Sequence, residues 1–303
     1  MQTVDIAELD CIYLSYDEPK ADEFWAQIQA HVPWAKRVHG VEGSDAAHKA
    51  AAAASDTERF ILIDGDNLPD WNFFNQELRL TEQNQTHVFR WRARNSVNGL
   101  CYGNGGLSCW TKDFVNNMRT HENTDGSDDT AVEFCFDPKY IAMHDVWSTT
   151  YPNQSEYHAW RAGFREGVKL CLDKGKRVDL VDFERDTWAG NRRNLEIWCT
   201  VGADAEHGVW AIQGACYGVW KVMFDDDWDY TEVRDFRKLK ALWDNGCATV
   251  DATVMRQRLG LDIVDMPKDI SAWFKQYQRP YENIDIMLPE SEYRRVLRDA
   301  ARR

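Results

Sequence analysis

The sequence has no stretch of about 18 apolar residues, and its amino terminus has no basic segment followed by an apolar one. Neither a membrane-spanning helix nor a secretory leader is expected, and a soluble, cytoplasmic protein without membrane partners is. The 8 cysteines, at 11, 101, 109, 135, 171, 199, 216 and 247, include no Cys-x-x-Cys pair, so neither a structural zinc site nor a disulfide framework is expected. Positive charge is scarce: 36 Lys and Arg against 50 Asp and Glu leave a net charge of −14. That balance repels phosphate backbones at long range and argues against extended nonspecific nucleic-acid binding, although a local basic groove stays compatible with it. Internal repeats and low-complexity linkers are absent as well.

What the chain does have is 14 tryptophans. Indole rings fill cores, and they also offer flat faces for stacking sugars and bases. The first 67 residues read as an alternating α/β unit. Cys11-Ile12-Tyr13-Leu14 is a continuous apolar run of the kind a buried parallel strand needs, and it ends in the polar turn Ser15-Tyr16-Asp17-Glu18-Pro19. A helix is expected over 21–32, with Phe24, Trp25 and Ile28 on its apolar side and Pro33 past its end. A short strand over 35–40 follows, then an alanine-rich helix over 45–55 capped by Ser44. Phe60-Ile61-Leu62-Ile63 is the next buried strand, and it stops at Asp64-Gly65-Asp66-Asn67. This order implies a parallel sheet, whose ligands sit at the carboxyl ends of strands, where both polar turns fall.

Beyond this the order is less regular. Strands are expected over 88–91 and 140–147, with a Gly/Asn-rich loop over 95–106 and a polar loop over 121–130 between them. Helices are expected over 155–174, 188–200, 205–223 and 231–243. The fold expected is α/β: a Rossmann-type mixed sheet flanked by helices over 1–150, with a mainly helical part over 151–303 packed on the same domain.

Asp64-Gly65-Asp66 carries the sharpest chemical signal. Two carboxylates two residues apart, just past a buried strand, can both reach one hard divalent cation, which would neutralise a diphosphate leaving group. The Gly-bounded segment 40–43 leads into a helix whose first turns hold His48 and Lys49, a natural seat for phosphate, though a capped surface helix with a solvated lysine reads equally well. His144 and Asp145 are adjacent, so either can be a metal ligand or the base that deprotonates an acceptor hydroxyl, and strand alternation lets only one face a cleft. Asp128, Asp129 and Glu133 are weaker candidates for the base. Arg161, Arg165 and Lys169 recur every fourth residue as a basic stripe, a track for phosphates or an ordinary solvated face. Residues 292–303 hold five arginines against two acids and read as a basic helix.

Taken together, Ser15-Tyr16-Asp17-Glu18-Pro19, Ala35-Lys36-Arg37-Val38-His39-Gly40, Ala47-His48-Lys49-Ala50-Ala51 and Asp64-Gly65-Asp66-Asn67 resemble the nucleotide-sugar half of GT-A-fold glycosyltransferases. More narrowly, they look like the phage-encoded TET-associated glycosyltransferases. The segments 91–100, 102–106 and 159–166 are similar to that group too, and Asn104 departs from it, standing where an aromatic is usual. The likeness covers roughly residues 10–170. It implies a nucleoside-diphosphate sugar donor (a UDP-sugar), Mn²⁺ or Mg²⁺, and 5-hydroxymethylcytosine or a related hydroxymethylated pyrimidine in phage DNA as acceptor. Ser15, Tyr16 and Asp17 would face the nucleoside, and Arg37, His48 and Lys49 the base or diphosphate. Asp64 and Asp66, with His144 as a third candidate, would hold the metal. Asn95, Asn98, Tyr102, Gly105 and Gly106 would line the sugar and acceptor side. Three other readings stay open: a transferase that extends a sugar already on DNA or a polysaccharide, a nucleotidyltransferase, and a binding module without activity. The nucleotidyltransferase would usually carry a glycine-rich, lysine-containing loop where this chain has Ser-Tyr-Asp-Glu-Pro.

Overall fold

The computed structural model describes residues 2–102, 106–118, 120, 137–173, 175–246 and 249–276. The chain divides into two compact units, Met1–Arg94 with Cys101–Tyr151, and Asn95–Leu100 with Pro152–Arg303. The main run of the first unit ends at Tyr151. Residues 95–100, however, belong with the second unit, and the helical part forms a compact unit of its own.

In the first unit, β1 (Gln2–Asp5), β2 (Asp10–Ser15), α1 (Ala21–His31), β3 (Lys36–His39), α2 (Ser44–Ala54) and β4 (Arg59–Asp64) follow in sequence. Next come β5 (Asn67–Pro69), β6 (Glu77–Leu80), β7 (Val88–Asn95), β8 (Leu107–Thr111), α3 (Lys112–Asn117) and β9 (Tyr140–Thr150). Seven strands form one sheet in the order β3-β2-β4-β8-β7-β9-β5, and β1 pairs with β6 in a separate ribbon. β2 runs parallel to β3 and to β4, whereas β8 is antiparallel to β4 and to β7, and β5 is antiparallel to β9. The sheet is thus mixed, with β3, β2 and β4 mutually parallel.

Alternation along β2 and β4 explains their unbroken apolar runs. Cys11, Tyr13, Ile61 and Ile63 enter a core with Phe24, Ile28 and Phe73, while Ile12, Phe60 and Leu62 enter another with Ala51, Ala52, Val88 and Trp110. Both faces of these strands are covered, so neither can alternate with polar residues. α1 buries its apolar side in the first of these cores and α2 in the second, and after each helix the chain re-enters the sheet parallel to β2. β3 lies on one side of β2 and β4 on the other, so the chain reverses direction across the sheet at β2. In open α/β sheets such a reversal is where ligands bind, here at the carboxyl ends of β2 and β4.

The second unit holds α4 (Glu156–Lys169), a small hairpin of β10 (Leu172–Asp173) and β11 (Lys176–Arg177), and α5 (Phe183–Asp186). It continues with α6 (Ala189–Trp198), α7 (Gly208–Phe224), α8 (Phe236–Asp244), α9 (Ala252–Leu259) and α10 (Lys268–Gln276). α4 stops five residues short of expectation because the chain turns into that hairpin, with Gly175 at φ +82°. The helix expected over 231–243 is a 3-10 turn, Tyr230–Arg234, and then α8. The break falls at Asp235, whose carboxylate accepts from the backbone N–H groups of Arg237 (2.9 Å) and Lys238 (3.3 Å) and so starts a new helix.

α4 and α7 meet main chain to main chain. A β-carbon at Gly163 would lie 1.9 Å from the Ala211 carbonyl oxygen, and one at Gly214 would lie 2.2 Å from that of Trp160. Gly167 and Gly218 face backbone carbonyls at 2.3 Å in the same way. Trp160 and Phe164 stack beside this seam at 5.0 Å between ring centroids. Of the 14 tryptophans, Trp91, Trp110, Trp160 and Trp198 are buried outright, while Trp188 and Trp34 stay exposed. The six described cysteines are all buried.

Candidate functional site

The parallel register pairs Leu14 with Asp64, so the turn after β2 abuts the turn after β4. Here the structure brings Glu18 to Asp64-Gly65-Asp66. A β-carbon at Gly65 would lie 2.5 Å from both Cδ and Oε2 of Glu18, and the Glu18 carboxylate accepts from the Tyr16 N–H at 2.7 Å. The hydroxyl of Tyr13 donates to the Gly65 carbonyl at 2.9 Å. Asp64 donates its N–H to the Gly106 carbonyl at 2.8 Å, and Gly106, at φ +68°, packs against the side chains of Asp64 and Asn67.

The cluster is electrostatically strained. Burial of its carboxyl, then the negative charges of Asp66 and Glu18, push Asp64 up to about 8, even though the residue keeps some contact with solvent. Glu18 is also raised, first by burial, with Asp66 and Asp17 adding to it and the N–H groups around it opposing. Burial is the main cause in each case because it penalises the charged form.

Asp66 is held on both sides. The Asn67 amide donates to its Oδ1 at 2.8 Å and the Thr150 hydroxyl to its Oδ2 at 3.1 Å, while the Asp66 carbonyl accepts from the Tyr151 N–H at 2.7 Å. Among the described residues, no three Asp, Glu, His or Cys side chains converge as a ready-made cation cage. Two or three hard oxygen donors on one face suit Mg²⁺ or Mn²⁺ that completes its shell with phosphate oxygens and water.

At the neighbouring strand ends, Ser15 pairs in register with His39. The Ser15 hydroxyl lies 2.9 Å from His39 Nδ1, and Arg37 Nε donates to that hydroxyl at 3.3 Å. Arg37 also binds Asp22 at 2.7 Å and lies over the Tyr13 ring at 5.8 Å. Tyr16 and Asp17 are exposed on the same turn. Ser15, Tyr16, Asp17 and Arg37 are therefore grouped as the sequence implies, and His39 joins them.

Other expected residues sit differently. Gly43, at φ +91°, is the residue before α2, and Ser44 opens the helix without a side-chain cap, which corrects the expected Ser44 cap. His48 donates to the Ser44 carbonyl at 2.8 Å and stands edge-on to Trp110, and Lys49 is paired with Asp45 at 2.7 Å one turn away. Both side chains are thus engaged within their own helix surroundings. His144 and Asp145 are exposed on β9, and His144 Nδ1 approaches Arg92 Nη2 at 3.5 Å. His144 precedes Thr150 by six residues, a strand contour of roughly 20 Å, so β9 delivers Thr150 rather than His144 to Asp66.

In the second unit, Asn95 and Asn98 are buried and brace their own loop: Asn95 Oδ1 accepts from the Val97 N–H at 2.8 Å and Asn98 Oδ1 from the Leu100 N–H at 3.2 Å. The basic stripe of α4 is largely engaged. Arg161 and Arg165 cover the ring of Phe236 at 4.5 and 4.9 Å, and Lys169 pairs with Glu166 at 3.1 Å. Asn104, Gly105, Asp128, Asp129, Glu133 and the arginine-rich segment 292–303 lie outside the described residues.

Glu18, His39 and Thr150 are the site residues that sequence reasoning missed. Glu18 and His39 carried a signal, because they stand at the ends of strands already expected to be parallel neighbours of the acidic turn or of each other. No protein-family model matches the chain, and no curated protein is significantly similar to it.

Proposed function

We propose that the chain is a metal-dependent glycosyltransferase that moves a sugar from a nucleoside-diphosphate donor, a UDP-sugar, to a hydroxyl acceptor. The acceptor class favoured by the sequence resemblance is a hydroxymethylated pyrimidine, 5-hydroxymethylcytosine, in phage DNA. One observation carries the donor half of this reading: Asp64 and Asp66 end β4 beside the β2 turn, at the point where the chain reverses across the sheet.

Asp64 and Asp66 would hold Mn²⁺ or Mg²⁺ through carboxylate oxygens, with Glu18 adding negative charge beside them. When bound, the cation supplies positive charge to the diphosphate as it leaves. Ser15, Arg37 and His39 offer a hydroxyl, a guanidinium and an imidazole at the adjacent strand ends, a set that suits a nucleoside and its first phosphate. His144 and Asp145 are not assigned the base, because six residues of strand separate His144 from the β9 residue that meets Asp66. A glycosyltransferase is preferred over a nucleotidyltransferase because the turn after β2 holds Glu18 against Gly65 and has no glycine-rich, lysine-containing loop.

A thermal-shift screen tests this, using UDP, GDP, CDP and their sugars with and without Mn²⁺. A ligand at 100 times its Kd stabilises the folded chain by about 2.7 kcal/mol. The expected result is one nucleotide that stabilises only with metal, an effect that Asp66→Ala abolishes. Transfer to hydroxymethylated DNA is the next assay. If no nucleotide shifts the melting temperature under any metal condition, the reading is wrong.

A further inference from the structure

Two helices of the second unit carry a row of alternating cations and rings. Lys240 lies over the Tyr157 ring at 5.5 Å, and Arg161 lies over the same ring at 5.4 Å. Arg161 also lies over the Phe236 ring at 4.5 Å, and Arg165 ends the row over Phe236 at 4.9 Å. Helical spacing builds it. Tyr157, Arg161 and Arg165 recur every fourth residue of α4, and Phe236 and Lys240 stand four apart on α8, so each set shares one helix face. The Tyr157 hydroxyl donates to the Phe236 carbonyl at 3.3 Å and ties the two helices at this point.

A row that served only to join α4 to α8 would be covered. Phe236 is instead 45% exposed, while Leu239 supplies the buried contact of α8. Among the described residues, Arg161 pairs with no carboxylate and its contacts are with the two rings. A ring takes none of the N–H groups of a guanidinium, so they remain donors for an anion. The ring also steadies the long side chain, so less entropy is lost when a ligand orders it. Arg161, Arg165, Lys169, Arg237, Lys238 and Lys240 outnumber the acids of the two helices and their caps, Glu156, Glu166, Asp235 and Asp244. That local excess stands against a chain whose net charge is −14. Lys240 is paired with Asp244, an exposed contact that a phosphate can displace at little cost.

Cations interleaved with an exposed ring suit a polymer that alternates phosphates with flat bases. A free phosphate or an acidic peptide would leave the ring unused. A base reaches a protein ring only when it is out of the duplex, so the strand is single.

We propose that this face of α4 and α8 binds single-stranded DNA, with phosphates against Arg161 and Lys240 and a base against the exposed part of Phe236. The choice of DNA rests on the acceptor class proposed above, and the binding needs neither metal nor donor nucleotide.

The test is fluorescence anisotropy of a labelled single-stranded pyrimidine oligonucleotide with the full chain, without metal or nucleotide, across a KCl series. The wild type is expected to bind it more tightly than the corresponding duplex. Arg161→Met is expected to weaken binding by about 10-fold, the worth of one charge-assisted contact, and to flatten the slope of log Kd against log [KCl] by about 0.7. Phe236→Ala is expected to weaken it at least about fivefold, the lower end of base–aromatic stacking, with the salt slope unchanged. Phe236→Trp, which keeps a ring, is expected to bind at least as tightly as the wild type. Arg185→Met, at an exposed cation elsewhere in the unit, is expected to change binding by less than about twofold. Absence of binding at low salt overturns the proposal. Equal losses from Arg161→Met and Arg185→Met also overturn it, since binding then follows bulk charge. A loss in Phe236→Ala that Phe236→Trp fails to restore overturns the stacking role, and tighter binding of an RNA of the same sequence overturns the choice of DNA. None of these results touches the donor site, which the thermal-shift screen tests separately.

Discussion

The carboxylate of Glu18 occupies the space that a side chain at Gly65 would need, with Cδ and Oε2 both 2.5 Å from where that β-carbon would stand. Glu18 is the far end of a flexible side chain, so it can swing away at small cost. Gly65→Ala is therefore expected to fold with less than about 1 kcal/mol lost, in the range of mild substitutions. Gly106→Ala differs, because a non-glycine residue must hold φ +68° while facing the Asn67 amide. A loss of about 2 kcal/mol or more is expected there. Urea unfolding of the two variants side by side checks this, and equal losses would refute the contrast.

The raised carboxyl of Asp64 predicts a pH dependence. The folded chain holds this proton up to about pH 8, whereas an unfolded aspartate releases it near 3.9. The group's contribution to stability is thus fully present below about pH 4 and is lost as pH rises through 8. Asp64→Asn removes that dependence. Its melting temperature should exceed that of the wild type at pH 9, with the gap closing toward pH 4, and Mn²⁺ should narrow the gap at high pH. Parallel melting profiles across that range would contradict the assignment.

The seam between α4 and α7 predicts a sign reversal. In an exposed helix interior, Gly→Ala stabilises by up to about 1 kcal/mol. At Gly163 and Gly214 the added methyl would stand 1.9 and 2.2 Å from main-chain oxygens that have no free rotation to yield. Each substitution is expected to cost at least about 3 kcal/mol, as severe overpacking does. Chemical denaturation measures it, and stabilisation at either position would show that the helices can part.

Nucleotide affinity should depend on the strand ends more than on α2. Arg37→Met is expected to weaken nucleotide binding in the presence of Mn²⁺ by about 10-fold, the worth of one charge-assisted contact near 1.4 kcal/mol. Lys49→Met is expected to change it less than about threefold, because Lys49 is already paired with Asp45 at 2.7 Å. Isothermal titration with the nucleotide found in the screen separates the two, and equal effects would return Lys49 to the phosphate.

Much of the first unit was legible in the sequence. Buried parallel strands have no solvent face, so Cys11-Ile12-Tyr13-Leu14 and Phe60-Ile61-Leu62-Ile63 announced themselves as unbroken apolar runs. Asp64-Gly65-Asp66 was visible because it interrupts such a run. The Asp66–Thr150 contact was not, since it spans 84 residues and depends on β5, a three-residue strand containing Pro69. No local pattern marks a strand that short. His144 and Asp145 drew notice by their chemistry, but adjacency in sequence says nothing about which rung of a long strand meets the acidic turn. β8, buried along all five residues, begins directly after the expected Gly/Asn-rich loop over 95–106, and no strand was expected there. Residues 2–5 hold one aliphatic side chain, Val4, and became strand only through pairing with β6.

The glycine seam of α4 and α7 also limits how the second unit can move. Helices that meet through long side chains can slide, because rotamers rearrange and the interface refills. Where carbonyl oxygens nest over bare α-carbons, a shift of one residue would drive Trp160 or Phe164 into the opposing backbone. These two helices must travel as one rod, and any rearrangement within the unit has to be taken up by the segments that enter and leave them.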